Sequence, residues 1–216
     1  MGRARAPSLG PRAEPLGVVL AGGLGRRMGG SKAVVKLGRR PLISYPLESM
    51  WRALGNVAIV AKVDTELPGV PGVAVWIEPE EPRHPLTGII HALCVADGRP
   101  VVVCAADMPF VGPALLTAIA HADPGEAPAV VVSSAGELQP LLGCYQPSAL
   151  KRLTGIEFTG VPLRKAIAAI EPALYEVEDP DAIFNVNSPD ELLRAAAILD
   201  RRRAPSARPP GPASRR

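Results

Sequence analysis

Short runs of consecutive apolar residues punctuate the chain: Leu16–Leu20 (LGVVL), Asn56–Ala61 (NVAIVA), Gly72–Ile77 (GVAVWI), Pro100–Ala105 (PVVVCA) and Ala127–Val132 (APAVVV). Runs that do not alternate with polar residues, and that stop at glycine or a polar residue, predict strands buried on both faces of a parallel sheet. Helical spacing fills most of the intervals. Ile43, Leu47, Met50 and Leu54 fall on one face behind Pro41, although Pro46 predicts a helix that starts late or bends. Leu86–Val95 and Pro113–Ala120 carry further apolar faces. This alternation predicts βαβ units and a doubly wound, mostly parallel α/β sheet of Rossmann-like type. Beyond Val132 the pattern loosens. It predicts strands at Leu138–Tyr145 and Ala173–Val177, a short helix at Pro162–Ile170, and a last helix from Pro189 that buries Leu192, Leu193, Ala196 and Leu199. Ser188, with Glu191 three residues on, has the spacing of a capping box for that helix. No internal repeat is found. The organisation expected is one domain over residues 16–202 between basic tails at 1–15 and 203–216.

Composition changes this picture in two places. The chain has 216 residues and a net charge of +3, but residues 1–15 carry +2 and residues 201–216 carry +6, which leaves −5 on Leu16–Asp200. A basic balance that resides in Arg/Pro/Ala/Ser tails, expected to be solvated and disordered, argues against nucleic-acid binding, and the acidic body argues further against it. The three cysteines (Cys94, Cys104, Cys144) are far apart and form no C-x-x-C pair. That spacing carries no zinc-site pattern and points to a reducing compartment. No apolar run approaches the about 18 residues needed to span a bilayer, and GVVLAGG is too short for a secretory h-region. The expectation is a cytoplasmic protein with neither membrane nor nucleic-acid partners.

The chemistry concentrates in Leu20–Lys32, LAGGLGRRMGGSK. A strand runs directly into a loop with five glycines in nine residues (22, 23, 25, 29 and 30), followed by a lysine. Glycines let backbone N–H groups approach an anion without interference from Cβ. Arg26, Arg27 and Lys32 are then placed to neutralise a polyphosphate. The spacing fits neither G-x-x-x-x-G-K-[ST], because Ser31 precedes Lys32, nor G-x-G-x-x-G, because position 28 is Met. Taken alone, a glycine-rich surface loop is the competing reading. Asp107 closes the run PVVVCAAD, so its carboxylate sits at the C-terminal end of a predicted central strand, the edge where open α/β sheets bind ligands. A single carboxylate beside a triphosphate suits Mg²⁺; by itself it is also a plausible helix N-cap. Asn185 and Asn187 share one face of an extended segment, suited to hydrogen-bonding a polar ring or to holding a turn. Gln139-Pro140 is open to the same two readings. Nothing here forms a Ser/His/Asp or Cys/His set. His91 and His121 read as surface or packing residues in helices, and Cys104 as an inert residue of a buried strand.

The loop L-A-G-G-x-G-x-R-M-G-G-x-K resembles the signature loop of nucleotidyltransferases that join an NTP to a phosphorylated acceptor, and most closely the molybdenum-cofactor guanylyltransferases of the MobA type. The resemblance spans about residues 16–200. Four further segments match in the same order: Pro85–Ile89 (PLTGI), Ala106–Phe110 (ADMPF), Leu138–Tyr145 (LQPLLGCY) and Phe184–Leu192 (FNVNSPDEL). It implies a fold of the nucleotide-diphospho-sugar transferase type. It implies Mg²⁺-dependent transfer of GMP from GTP to the phosphate of molybdopterin, with release of pyrophosphate. On this resemblance Asp107 is the Mg²⁺ ligand. Leu20, Ala21, Gly22 and Gly23 give backbone to the guanine and ribose end, Gly25 to Gly30 wrap the phosphates, and Arg27 and Lys32 offset their charge. Glu78 matches the family's nucleotide-contacting acid, usually Asp, although Glu80 and Glu81 lie close by and a solvated acidic loop is the other reading. Asn185 and Asn187 lie beside the acceptor site. His84 stands where relatives have Gly and reads as a loop histidine at the mouth of the site. Gly22-Gly23 favours GTP, since cytidylyl-transferring relatives tend to read L-A-A-G. The chain departs from the pattern at Ser31, where many relatives have Asp, and at Ala61-Lys62, near the position of a nucleotide-contacting Asn. A molybdoenzyme chaperone or cofactor-insertion protein is a further candidate partner. Alternative readings are cytidylyl transfer to molybdopterin, guanylyl transfer to cobinamide phosphate or phospholactate, and a non-catalytic nucleotide-binding assembly subunit. Intact Lys32 and Asp107 argue against the last of these.

Overall fold

The computed structural model describes residues 13–22 and 32–203. The expectations for both tails and for the segment from Gly23 to Ser31 lie outside them. In chain order the elements are β1 (Leu16–Leu20), β2 (Lys36–Leu37), β3 (Arg40–Pro41), α1 (Ser44–Ala53), β4 (Val57–Ala61), β5 (Ala74–Ile77), α2 (Pro85–Val95), β6 (Val101–Ala105), α3 (Pro113–His121), β7 (Ala129–Ser134), β8 (Glu137–Tyr145), α4 (Pro147–Thr154), α5 (Leu163–Ala168), β9 (Ala173–Glu176) and α6 (Pro189–Arg203).

Seven strands form one sheet in the order β5-β4-β1-β6-β8-β7-β9. β5, β4, β1 and β6 pair in parallel, β8 runs antiparallel to both β6 and β7, and β9 is parallel to β7. The mostly parallel doubly wound expectation is met. The apolar runs explain it: β6 is buried at every residue, and β1 at four of its five residues. Side chains of opposite parity feed two apolar layers. Val19, Ile59, Val102 and Cys104 meet Leu47 and Met50 of α1 and Leu116 and Ile119 of α3. Val18, Val60, Val101 and Val103 meet Leu86, Ile89 and Leu93 of α2, Leu153 of α4 and Ile167 of α5. Fully burying one such side chain contributes ~1.5–3 kcal/mol, so strands filled on both faces anchor the sheet.

Several expectations are corrected. GVAVWI does not make a strand buried on both faces. β5 is an edge strand, and Val75 and Ile77 are 41% and 51% exposed and belong to neither apolar layer of the described residues. Pro41 lies in the small β2–β3 hairpin rather than in a first helical turn. α1 begins late, at Ser44, which places Pro46 in the first turn where a missing N–H costs no hydrogen bond. In α6 the buried stripe is Leu192, Ala195, Ala196, Ile198 and Leu199, whereas Leu193 is 71% exposed. The helix rests one side on Leu37, Leu42 and Phe110, and residue 193 falls outside the i, i+3, i+4, i+7 face. The hairpin and α4, whose apolar face of Ala149, Leu150 and Leu153 packs on the sheet, were not among the expected elements.

β8 is kinked. Val131 of β7 pairs with Gly143 but Val132 pairs with Gln139, so residues 140–142 bulge from the ladder. Pro140, which has no N–H to give, sits in this bulge, and its carbonyl accepts a 2.6 Å hydrogen bond from the Tyr145 hydroxyl. Burial pushes the Tyr145 phenol above its ordinary range. Beside the bulge a Cβ on Gly143 would lie 2.6 Å from the Val130 carbonyl oxygen, a backbone atom that cannot step aside. Gly143→Ala is therefore expected to destabilise the protein by ~1–3 kcal/mol. A denaturant midpoint equal to that of the parent would contradict this account.

Candidate functional site

The C-terminal ends of β1, β4, β5 and β6 converge on one side of the sheet, at a cavity of about 490 Å³. Backbone hydrogen bonds carry the strand register into the residues that follow. Ala21 N–H donates to Val60 O, Glu78 N–H to Ala61 O, and Ala106 N–H to Leu20 O, at 2.8 to 3.0 Å. The side chains at the cavity are thus mounted on rigid strand ends.

Asp107 lies two residues past β6. Its carboxylate accepts a 2.8 Å ion-paired hydrogen bond from Lys32 Nζ, with the side chains 15% and 20% exposed. The same ammonium donates to Asn187 Oδ1 at 2.5 Å. Asn187 is itself anchored: its N–H donates to Glu191 Oε2 at 2.7 Å, and the Glu191 N–H donates to Ser188 Oγ at 3.2 Å. This is the expected capping arrangement at the start of α6, displaced by one residue, since Glu191 reaches back to the backbone of Asn187 rather than of Ser188. Val186 N–H donates to the Asp107 carbonyl at 2.9 Å, which ties the two segments together. One lysine ammonium therefore bridges a carboxylate from one strand end and an amide from the entry to α6.

Glu78 follows β5 and is not part of a solvated acidic loop. It is 6% exposed and faces Lys62, itself 4% exposed, with 3.6 Å between Nζ and Oε1. Lys62 Nζ also donates to the Pro79 carbonyl. Glu78 Oε2 is buried with no hydrogen-bond partner among the described residues. Burial holds the Glu78 carboxyl above its ordinary range, and the Lys62 charge pulls against that rise. The carboxylate fills space left by two glycines. A Cβ on Gly22 would collide with Oε1, and one on Gly88 would lie 3.1 Å from Oε2. The close approach at Gly22 gives the third residue of the LAGG segment a steric reason to be glycine.

His84 lines the cavity as expected and also caps α2. Its Nδ1 accepts from the Leu86 N–H at 3.2 Å, its Nε2 faces the Val161 carbonyl at 3.0 Å, and its ring rests against Phe158. Nδ1 as acceptor fixes the tautomer with the proton on Nε2, so the ring is committed to structure.

Of the residues singled out from the sequence, Leu20, Ala21, Gly22, Lys32, Glu78, Asp107, Asn185 and Asn187 all line this one cavity. Gly23, Gly25 and Arg27 lie outside the described residues. Gln139 and Pro140 face a second hollow of about 270 Å³, which shares Leu141 and Asn185 with the first. Lys62 and Arg83 were not singled out as site residues, yet both line the main cavity. For Lys62 the usable signal was its place immediately after β4, the same strand-end rule that located Asp107. His91 and His121 are held in α2 and α3 as expected, and Cys104 is buried in β6 with its thiol pushed well above its ordinary range. Cys144 is likewise buried and its thiol is pushed up to about 12. Among the described residues no group of three or more His, Cys, Asp or Glu gathers to hold a metal, and no helix is long and apolar enough to cross a membrane.

The family model for the MobA-like NTP transferase domain matches residues 17–174. The chain belongs to the MobA-like NTP transferase family. Named relatives agree. A molybdenum cofactor guanylyltransferase of Cereibacter sphaeroides is 31% identical over 188 residues, covering 85% of this chain and 96% of that protein. A probable molybdenum cofactor guanylyltransferase of Chloroflexus aggregans is 33% identical over 198 residues, covering 85% and 94%. Among solved structures, molybdopterin-guanine dinucleotide biosynthesis protein A from Archaeoglobus fulgidus superposes with a TM-score of 0.67 at 25% identity, covering 86% of this chain and 98% of that one. The 2-C-methyl-D-erythritol 4-phosphate cytidylyltransferase of Thermus thermophilus shares the fold, with a TM-score of 0.61 at 18% identity over 86% and 99% of the two chains. The protein is a nucleotidyltransferase with the fold of the nucleotide-diphospho-sugar transferase type.

Proposed function

We propose that this nucleotidyltransferase moves GMP from GTP to the phosphate of molybdopterin and releases pyrophosphate. The observation that carries the reading is the single ammonium of Lys32 held between Asp107 and Asn187 at the sheet edge. It supports the reading because a cation suited to phosphate reaches both a carboxylate suited to a metal and an amide suited to the acceptor. The names of the relatives supply the base and the acceptor. Glu78 favours guanine on chemical grounds. A carboxylate only accepts hydrogen bonds, and the guanine edge offers two adjacent donors, N1–H and the 2-amino group, whereas adenine and cytosine present a donor beside an acceptor.

The residues fit a magnesium ion that arrives with its nucleotide. Asp107 offers one hard oxygen donor at the cavity rim, and Mg²⁺ characteristically takes one or two carboxylates and completes its shell with phosphate oxygens and water. Bound there by Asp107, it would neutralise triphosphate charge and make the α-phosphorus more electrophilic. The chain's own groups do the rest. Lys32 exchanges its carboxylate partner for phosphate oxygens, and the Leu20–Gly22 backbone, with Glu78, orients the nucleoside. Asn185 and Asn187 hold the acceptor for in-line attack. An acceptor phosphate oxygen forms the new P–O bond as the bond from the α-phosphorus to pyrophosphate breaks. The nucleophile is already an anion near neutral pH, so no general base is needed, in keeping with the lack of a nucleophile–base pair among the described residues at the cavity. Catalysis then rests on positioning and charge neutralisation.

The decisive experiment measures pyrophosphate release from GTP, CTP and ATP, each with and without Mg²⁺, with purified molybdopterin as acceptor. Turnover is expected with GTP and Mg²⁺. Turnover with CTP alone would overturn the base assignment, and none with any nucleotide would overturn the function.

A further inference from the structure

We infer that Lys62 is the positioning residue for base selection: it pins the Glu78 carboxylate, ionised, in the cavity wall as the group that reads guanine. This rests on the function proposed above and adds to it a residue that acts through Glu78 rather than on the substrate.

The geometry isolates the pair. Lys62 and Glu78 leave adjacent parallel strands at the same level, with Ala61 paired to Ile77. Both are more than nine-tenths buried. The other charges nearby are already engaged. Arg83, at the cavity, binds Asp64 at 2.9 Å and Glu80 at 3.0 Å, although Glu80 still adds to the rise of the Glu78 carboxyl that Lys62 opposes. Burial, and then the nearby Lys62 charge, hold the imidazole of His91 in α2 below its ordinary range. Among the described residues Lys62 is therefore the cation paired with Glu78. A second hold fixes its reach, the bond from Nζ to the Pro79 carbonyl. Thr65 Oγ1 accepts from the Lys62 N–H at 3.1 Å and closes the turn beneath it.

A buried carboxylate oxygen left without a partner is unfavourable unless something uses it. Oε2 of Glu78 is such an atom, and the two glycines that accommodate the carboxylate show that the site is built around it. Guanine donors would satisfy it. Without the lysine, burial would favour the neutral acid, which carries its own proton and can no longer accept from both guanine donors. Lys62 thus converts a buried acid into a base reader.

The test compares Lys62→Met, Lys62→Arg, Glu78→Gln and the Lys62→Met/Glu78→Gln double variant in full-length protein, using GTP and ITP, which lacks the 2-amino group. Lys62→Met is expected to raise KM for GTP by roughly 10- to 100-fold, with the loss in KM rather than kcat, and to erase most of the preference for GTP over ITP. Its GTP affinity should begin to fall at a higher pH than in the parent as pH is lowered, because the lost cation no longer favours the carboxylate. Lys62→Arg should restore much of the affinity. The double variant should be no worse than Glu78→Gln alone, since the two act as one unit. Additive losses, a fall confined to kcat, or an unchanged preference for GTP over ITP would overturn the inference. If Lys62→Met does not fold, Lys62→Arg against Glu78→Gln decides it: an arginine variant as impaired as the glutamine variant counts against the role. Should the parent protein turn over no nucleotide, the proposed function falls as well; should it turn over GTP and Lys62→Met match it, only the inference falls.

Discussion

Replacing Asp107 with alanine is expected to lower kcat for nucleotidyl transfer by roughly 10²-fold or more, while the fold survives. The side chain sits at the cavity rim and its interaction in the structure is with Lys32. The backbone around it keeps its bonds, because the Asp107 carbonyl still accepts from Val186 N–H and Ala106 N–H still donates to Leu20. What is lost is the hard oxygen donor proposed to hold Mg²⁺. Asp107→Asn separates charge from shape. Asparagine keeps the volume and an acceptor for Lys32 but binds Mg²⁺ poorly, so the two variants should be impaired alike if metal binding is the role. Steady-state pyrophosphate release across a Mg²⁺ titration, alongside thermal unfolding, checks both points. Activity within tenfold of the parent in Asp107→Ala would remove this residue from the catalytic set.

Lys32→Met should be as damaging by a different route. The ammonium joins Asp107 to Asn187 and is proposed to turn to phosphate oxygens when a nucleotide binds. Its removal leaves a partly buried carboxylate and an amide oxygen without their cation and leaves triphosphate charge uncompensated. Both KM for the nucleotide and kcat should suffer, with kcat/KM down by roughly 10²-fold or more. Lys32→Arg should recover only part, since a planar guanidinium does not reproduce a compact ammonium that must reach Oδ1 of Asn187 and a carboxylate oxygen together. The combination with Asp107→Ala should cost little more than the worse single change, because the two serve one event. Losses that multiply would mean that lysine and aspartate act independently.

How much of this was legible beforehand differs between fold and site. Buried strands announced themselves because β1, β4 and β6 are apolar on both faces, and consecutive Val and Ile at those positions admit few other readings. β5 misled because its residues have the same composition, yet at the sheet edge Val75 and Ile77 stay about half exposed. Composition does not reveal the number of neighbours a strand will have. Leu193 misled similarly: its neighbour Leu192 lies on the buried stripe, and only the location of the Leu37–Leu42–Phe110 patch decides which of two adjacent leucines faces it. For the site, Asp107 and Lys32 were readable from their place at strand and loop ends. The pairing of Lys62 with Glu78 was not, since it depends on β4 and β5 lying side by side in register, a long-range fact that no local spacing encodes.

The clasp that joins Lys32 to Asn187, and Asn187 through Glu191 to the start of α6, carries a consequence for biosynthesis. During translation the strands that build the floor of the pocket emerge long before residues 184–191 leave the ribosome. A nascent chain halted before that segment would hold Asp107 without the amide that seats its lysine. Capture of nucleotide should therefore switch on abruptly, late in synthesis, rather than grow as successive strands join the sheet.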